Sequence, residues 1–288
     1  MPVDPLSKKR HLNILTVNLK KILLNIYFWP MFLLVTAIGF LVTPFLLAAN
    51  LLLTASSIDR SIRQAIRIYG WVLIRIVPFM APVVLEDRSG GFDKPAIFTP
   101  NHSSSADPYL FGMIPVENAF VTSWPFRIPF YNFFMHLAGY INSTRGWKHV
   151  QKKGKELLAS GCSLIIWPEG HRTRTGRMGR FKNGAFQLAL ATGRPIVPVC
   201  IVGSRRMLPP GRFFISPARI KIILLPAIEP IGTADNPDDI KNLKERARTC
   251  IARELEKQRA AESVSEKCSS NQIAYLADAD KVSDRNCV

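Results

Sequence analysis

Acidic side chains are scarce in this sequence, and one long stretch carries no charge at all. The 288 residues include 21 Asp and Glu against 38 Lys and Arg, which gives a formal net charge of +17. This excess indicates an anionic partner, such as nucleic acid, lipid head groups or a phosphorylated substrate. Because 48% of the residues are apolar, an intrinsically disordered chain is excluded.

Cysteine is also rare, and its five copies form no Cys-x-x-Cys pair. They are Cys162, Cys200, Cys250, Cys268 and Cys287. An odd number cannot be fully paired, so the pattern favours a reducing compartment over a secreted disulfide framework.

The uncharged stretch lies near the N-terminus. The 37 residues between Lys21 and Asp59 include no Asp, Glu, Lys, Arg or His. One transmembrane helix needs about 20 apolar residues and two need about 40 plus a turn, so the stretch is long for one span and short for two. Lys and Arg flank both ends, which favours placing both on the cytoplasmic face.

We therefore expect residues 1–60 to form a helical membrane hairpin, with Pro30, Gly39 and Pro44 as possible bends. A kinked single span is the close alternative. A signal peptide fits less well, because its apolar region is typically about 7–15 residues with a small-residue cleavage site.

After this segment the pattern changes to that of an α/β protein. Short β-prone runs at 83–86, 96–99, 119–123, 163–167, 196–202 and 219–225 alternate with helical stretches near 148–159, 184–193 and 238–257. The alternation predicts a mixed, largely buried sheet flanked by helices. The predicted organisation is a membrane-attachment segment at 1–60, an amphipathic connector at 61–82, an α/β domain at 83–257 and a polar, disordered tail at 258–288.

A histidine and a carboxylate follow the second apolar run. His102 and Asp107 are five residues apart, and a turn into a helix between them lets the carboxylate bond one imidazole nitrogen. The other nitrogen is then a general base that can deprotonate a hydroxyl. The spacing is also typical of a purely structural pair. Ser103, Ser104 and Ser105 are interpreted as turn and cap residues, because no Gly-x-Ser-x-Gly elbow surrounds them.

A second motif, at residues 167–174, reads Trp-Pro-Glu-Gly-His-Arg-Thr-Arg and opens a basic loop. Arginine binds phosphate through its planar fork, and glycine lets the backbone approach closely. A solvated basic face against anionic lipid is the alternative for Arg177 and Arg180.

Together these motifs resemble the glycerophospholipid acyltransferase family. Its first block, N-H-x4-D, matches at Asn101, His102 and Asp107. The second, G-x-x-F-I-x-R, matches at Gly139 and Arg145, with Asn142 and Ser143 at its apolar centre. The third, F-P-E-G-T-R, matches at Pro168, Glu169, Gly170 and Arg172, with Trp167 and His171 as departures. Residues 181–186 and the Pro-Val block at 195–199 follow in the family's order.

The resemblance implies a role for each matched residue. His102 is then the general base and Asp107 orients it. The set that holds the acceptor's glycerol-phosphate end is Arg145, Glu169, Gly170 and Arg172. The implied reaction moves a fatty acyl group from acyl-CoA or acyl-ACP, the acyl-carrier-protein thioester, to the sn-2 hydroxyl of 1-acyl-sn-glycerol-3-phosphate, giving phosphatidic acid. No bound cofactor and no metal are expected, because a thioester is already activated.

The sequence is also compatible with other functions. The acceptor could be glycerol-3-phosphate, another lysolipid or a lyso-aminolipid, and a non-catalytic lipid-binding protein could keep the same fold. The expected partners are membrane lipids, the lysophospholipid acceptor and an acyl carrier protein. No nucleic acid partner is expected, because no recognition module accompanies the charge.

Overall fold

The computed structural model describes residues 5–53, 56–76 and 82–283, and two helices precede its α/β domain. Helix α1 (Pro5–Leu53) is 49 residues long, and α2 (Ile58–Arg75) follows it. The two helices pack against each other, and the hydroxyl groups of Thr36 and Tyr69 lie 2.7 Å apart. Within α1, Asn18–Asn50 is long and apolar enough to cross a membrane; no other helix among the described residues is.

The domain is built on seven strands in the order β1-β7-β6-β2-β5-β3-β4. The strands are β1 (Val83–Asp87), β2 (Ile97–Pro100), β3 (Asn118–Thr122), β4 (Ile141–Asn142), β5 (Ser163–Ile166), β6 (Ile196–Val202) and β7 (Ile220–Leu224). All neighbours are parallel except β6 and β7. The central strand β2 is buried at every residue, because helices cover both faces of the sheet.

Six further helices complete the described structure. They are α3 (Asp107–Leu110), α4 (Pro129–Leu137), α5 (Trp147–Ala159), α6 (Gly184–Thr192), α7 (Ser204–Met207) and α8 (Pro237–Ser283). Short 3-10 turns cover Phe111–Met113, Pro125–Arg127 and Ser143–Arg145.

The helices are divided between the two faces of the sheet. Ile97 of β2 pairs with Leu164 of β5, so both side chains point to one face, and a Cβ added to Gly154 of α5 would lie 3.3 Å from Leu164. Phe98 points to the opposite face, where its ring centroid lies 6.5 Å from that of Phe111. The 3-10 turn that contains Phe111 packs against α2. Helices α5 and α2 therefore lie on opposite faces.

The predicted α/β class is confirmed, but the predicted hairpin within residues 1–60 is wrong. Helix α1 continues through Pro30 and Pro44 without a turn. Contacts on both sides of Pro30 support the continuous helix: Asn25 and Thr36 flank this proline, and each bonds outside α1. A proline removes one backbone hydrogen bond, and packing along the helix compensates for that loss.

The other domain boundaries remain predictions. Helix α8 runs through residue 258, where the sequence predicts the start of a disordered tail, and reaches Ser283. This stretch is rich in Ala, Glu, Lys and Gln, all good helix formers, which explains why a polar composition is compatible with helical backbone.

Candidate active site

The histidine and carboxylate predicted from the sequence meet at the carboxyl end of β2. His102 lies two residues beyond the strand, and Asp107 begins α3. The turn between them brings His102 Nδ1 to 2.8 Å from Asp107 Oδ2. Ligand sites of α/β sheets typically lie beyond the carboxyl ends of strands, so the position fits a functional site.

Asp107 is held in place by the turn that it caps. Its side chain has no exposed surface, and Oδ2 also accepts hydrogen bonds from the backbone N–H groups of Ser103 and Ser104, each at 2.8 Å. Three donors around one oxygen suit an ionised carboxylate. The arrangement makes Nδ1 of His102 the protonated nitrogen, since only an N–H can donate to this oxygen.

The second imidazole nitrogen of His102 is available for chemistry. In the part of the chain that the structure describes, Nε2 has no hydrogen-bond partner, and the side chain lines a large cavity. Trp167 lies against the imidazole with ring centroids 4.8 Å apart, and Phe120 stacks on the indole with centroids 5.6 Å apart. These rings restrict the orientation of the imidazole beside the cavity.

Glu169 is buried beside the cavity and bonds to backbone groups. It is 2% exposed, and its two oxygens accept the backbone N–H groups of His102 (3.0 Å) and Gly179 (2.7 Å). The backbone N–H of Thr173 in the same loop donates to the carbonyl of His102 at 2.8 Å. Glu169 therefore fixes the backbone of His102, and its predicted contact with the acceptor stays a prediction.

Arg172 and Gly170 line the cavity, as expected for groups that contact a phosphate. Arg172 also donates to the hydroxyl of Ser105, which links the basic loop to the turn around the dyad. Gly170 has φ +74, and a Cβ there would lie 2.6 Å from Lys182 Nζ, so only glycine lets the lysine come this close.

Arg145 lies in the short 3-10 turn after β4. Its side chain is exposed and does not line the cavity, although Ser143 and Trp147 on either side of it do. Its predicted role in holding the acceptor phosphate stays a prediction.

The cavity has a volume of about 1460 Å³ and an open mouth rich in cations and indoles. Beyond the predicted residues, its lining includes Trp124, Trp147, His171, Arg174, Lys182, Arg205 and Arg212. The sequence pattern does not assign Trp124, Arg205 and Arg212, because they come from segments after β3 and β6 that only the fold brings to His102. The signals that point to Lys182 are its place in the basic loop and in the segment 181–186 that follows the third block.

Comparisons with known proteins find similar acyltransferases. Residues 81–202 match the family model described as Acyltransferase. The chain is 32% identical over 148 residues to the chloroplastic 1-acyl-sn-glycerol-3-phosphate acyltransferase BAT2 of Brassica napus, covering 49% of this chain and 43% of that protein. It is 33% identical over 148 residues to the chloroplastic LPAT1 of Arabidopsis thaliana, covering 49% and 41% respectively.

A solved structure shares the fold. The 1-acyl-sn-glycerophosphate acyltransferase PlsC from Thermotoga maritima matches with a TM-score of 0.66 and 20% identity, covering 84% of this chain and 98% of that one. At that identity the match shows the fold alone.

The fold and the comparisons point to one class. Residues 81–202 are similar to acyltransferase domains, and the two plant relatives are named as 1-acyl-sn-glycerol-3-phosphate acyltransferases. The chain resembles the glycerophospholipid acyltransferases, as its ordered blocks predict, and it spans less than half the length of the two plant relatives.

Proposed function

We propose that the protein transfers a fatty acyl group from a thioester to the sn-2 hydroxyl of 1-acyl-sn-glycerol-3-phosphate. The observation that carries the proposal is the His102–Asp107 pair, joined at 2.8 Å beside a cavity with cationic walls. A neutral imidazole with a buried carboxylate behind it activates a hydroxyl, and cations beside it suit an acceptor that bears a phosphate.

The chemistry needs one base and good positioning. His102 Nε2 takes the proton of the acceptor hydroxyl as its oxygen attacks the thioester carbonyl. The new C–O bond forms, the C–S bond breaks as the tetrahedral intermediate collapses, and the proton passes from His102 to the departing thiolate. Asp107 stabilises the imidazolium between the two proton transfers.

The phosphate end of the acceptor is assigned to the basic loop. Arg172 offers a guanidinium fork to a group that is nearly dianionic, and Gly170 leaves space for Lys182 to approach it. The hydroxyl of Ser105 orients Arg172, because it accepts one of the guanidinium N–H groups. The bond between Arg172 and Ser105 thus connects the basic loop to the turn that carries His102 and Asp107.

Attachment to a membrane follows from the two faces of α1. One face packs on the domain along its length: the side chain of Asn25 bonds the backbone of Ile215, and Phe40 contacts Phe134 at 5.2 Å. Near the other end of α1, the side chain of Asn50 bonds Ser61 of α2. The helix extends about 38 Å from Asn25 to Asn50 at 1.5 Å per residue. This exceeds the roughly 30 Å hydrocarbon core, so an upright span would pull the domain into the bilayer.

The opposite face of α1 supports an in-plane attachment. Its exposed side chains include Ile26, Leu33, Leu41 and Phe45. Exposed aromatic residues on α4 and on loops near the cavity continue this surface: Trp124, Phe130, Phe133, Phe213 and Phe214. The ring centroids of Phe130 and Phe40 of α1 lie 6.0 Å apart, so α1 and α4 form one apolar surface. The surface brings the mouth of the cavity to the bilayer that holds the acceptor, with the domain in the cytoplasm.

A lysolipid panel tests the proposed reaction. Purified protein in vesicles is given labelled acyl-CoA or acyl-ACP, together with 1-acyl-sn-glycerol-3-phosphate, glycerol-3-phosphate, a zwitterionic lysophospholipid or a lyso-aminolipid. We expect phosphatidic acid as the main product. A higher kcat/KM for a neutral or zwitterionic lysolipid would reject the phosphate-monoester acceptor and favour acylation of another lysolipid.

A further inference from the structure

One face of helix α5 carries a line of exposed lysines. Lys148, Lys152 and Lys155 follow one another at spacings of four and three residues, which places them on the same side of the helix. The structure draws no hydrogen bond or ion pair for these three side chains within its described ranges. The other face of α5 is buried through Val150 and Leu157. We refer to Lys148, Lys152 and Lys155 as the lysine face.

The lysine face is turned away from the proposed membrane surface. Helix α5 lies on the side of the sheet to which Leu164 points, and α2, with α1 against it, lies on the side to which Phe98 points. The first turn of α5 borders the mouth of the cavity, and the helix then lies on the face of the sheet opposite the bilayer that meets α1. A soluble partner can reach the lysine face while the protein stays on the membrane.

The lysine face also begins at the mouth of the cavity. Trp147, the first residue of α5, lines the cavity and packs on Gly184, where an added Cβ would lie 2.9 Å from the indole. Lys155 is eight residues further along, about 12 Å at 1.5 Å per residue. A macromolecule seated on this face is close enough to the mouth to extend a flexible arm into the cavity.

The charge on this side of the domain is predominantly positive. Residues 143–159 include five Lys and Arg and one carboxylate, Glu156, which pairs with Lys153 at 2.8 Å. The neighbouring helix α6 has no charged residue. The positive electrostatic field of these side chains attracts an acidic protein surface and raises the rate at which the two proteins meet.

We propose that the lysine face is the docking surface for a small acidic carrier protein that brings the acyl thioester to the cavity. The inference rests on the proposed function and adds the donor's carrier and the surface that it contacts. The lysine face is two helical turns long, which suits contact with the surface of a protein. The phosphates of a small thioester such as acyl-CoA would instead contact the cationic residues that line the cavity. The docked carrier and the lipid acceptor then enter from different sides.

Donor kinetics of a charge-reversed variant test this docking surface. The full-length protein in vesicles is assayed with acyl-ACP and, separately, with acyl-CoA of the same chain length. The variant is Lys148→Glu with Lys152→Glu. Its matched control is Lys241→Glu with Arg246→Glu, which removes two exposed cations from α8. We expect the α5 variant to raise the KM for acyl-ACP about tenfold, while its acyl-CoA kinetics and the control remain within about twofold.

Each other result overturns the proposal in a recognisable way. An equal loss with both donors would make the lysines part of the cavity. An unchanged KM for acyl-ACP, or a wild type that uses acyl-CoA but not acyl-ACP, would mean that no carrier docks there. Weaker binding of the α5 variant to anionic vesicles would assign the face to lipid. Transfer from neither donor would instead reject the proposed function.

Discussion

The carboxylate of Glu169 accepts a hydrogen bond from the backbone N–H of His102 at 3.0 Å, so the basic loop directly positions the proposed base. The second oxygen of Glu169 accepts the backbone N–H of Gly179 at 2.7 Å. This carboxylate therefore links the backbone of His102 to the far end of the basic loop.

Glu169→Gln is expected to lower kcat about 10- to 100-fold, because the amide has one oxygen and presents an N–H group to a second donor. Both KM values should change little, since Glu169 touches no substrate. Kinetics at saturating acceptor and donor measure the effect. The control is Glu156→Gln on the surface of α5. A rise in acceptor KM at constant kcat would contradict the positioning role and restore direct contact with the acceptor.

Arg172 and Arg145 are expected to differ, although both match the family's blocks. Arg172→Ala should raise the acceptor KM about tenfold or more through loss of a charge-assisted contact. Arg172→Lys should recover part of the loss, because a point charge cannot form the fork. Arg145→Ala, whose side chain lies outside the cavity, should stay within about twofold. Acceptor titrations at fixed donor distinguish them, and equal effects would contradict the placement of Arg145.

The contact between α2 and the domain leaves no space at Gly112. A Cβ there would lie 2.3 Å from the backbone nitrogen of Trp71 and 2.7 Å from the carbonyl oxygen of Arg67. Gly112→Ala should therefore destabilise the protein by about 1–3 kcal/mol, because backbone atoms cannot move aside. In α1, an alanine at Gly39 meets Tyr69 at an ordinary 3.8 Å and is the tolerated control. Thermal unfolding in detergent measures both; similar transitions would show that α2 can shift freely.

Two cysteines should resist thiol reagents in the folded protein. Burial raises the pKa of the Cys162 thiol to about 12 and that of Cys200 to about 12. Thiolate is the reactive form, so both groups should be inert at pH 8 and react only after unfolding. A chromogenic disulfide reagent counts the reactive thiols in the folded wild type and in the folded Cys162→Ala/Cys200→Ala variant. Equal native-state counts are expected, and a lower native count in the variant would contradict the burial.

The strands and the dyad could be predicted from the sequence because their information is local. Buried strands such as β2 and β5 read as short apolar runs, and His102 and Asp107 are joined by one turn. By contrast, α1 stays continuous through Pro30 because of contacts with residues far along the chain, such as Ile215. These contacts outweigh the local tendency of proline to bend a helix.

The same distinction applies to the candidate site residues. Arg172 lies in the loop that follows the buried strand β5, and this loop reaches the dyad through the bond of Arg172 to Ser105. The partners of Glu169 are backbone amides at residues 102 and 179, and no sequence pattern reveals a bond to a backbone group across that distance. Arg145 matches a block, but a two-residue strand and a 3-10 turn decide its direction.

The most direct test is acyl transfer by His102→Ala in vesicles. The variant should keep its thermal transition and its vesicle binding, and it should lose about 10²- to 10⁴-fold in kcat with either thioester. The matched control is His136→Ala, because that imidazole bonds the carbonyl of Asn132 within α4. The account predicts a loss of transfer in the first variant only. Transfer by a folded His102→Ala protein at more than a tenth of the wild-type rate would contradict it.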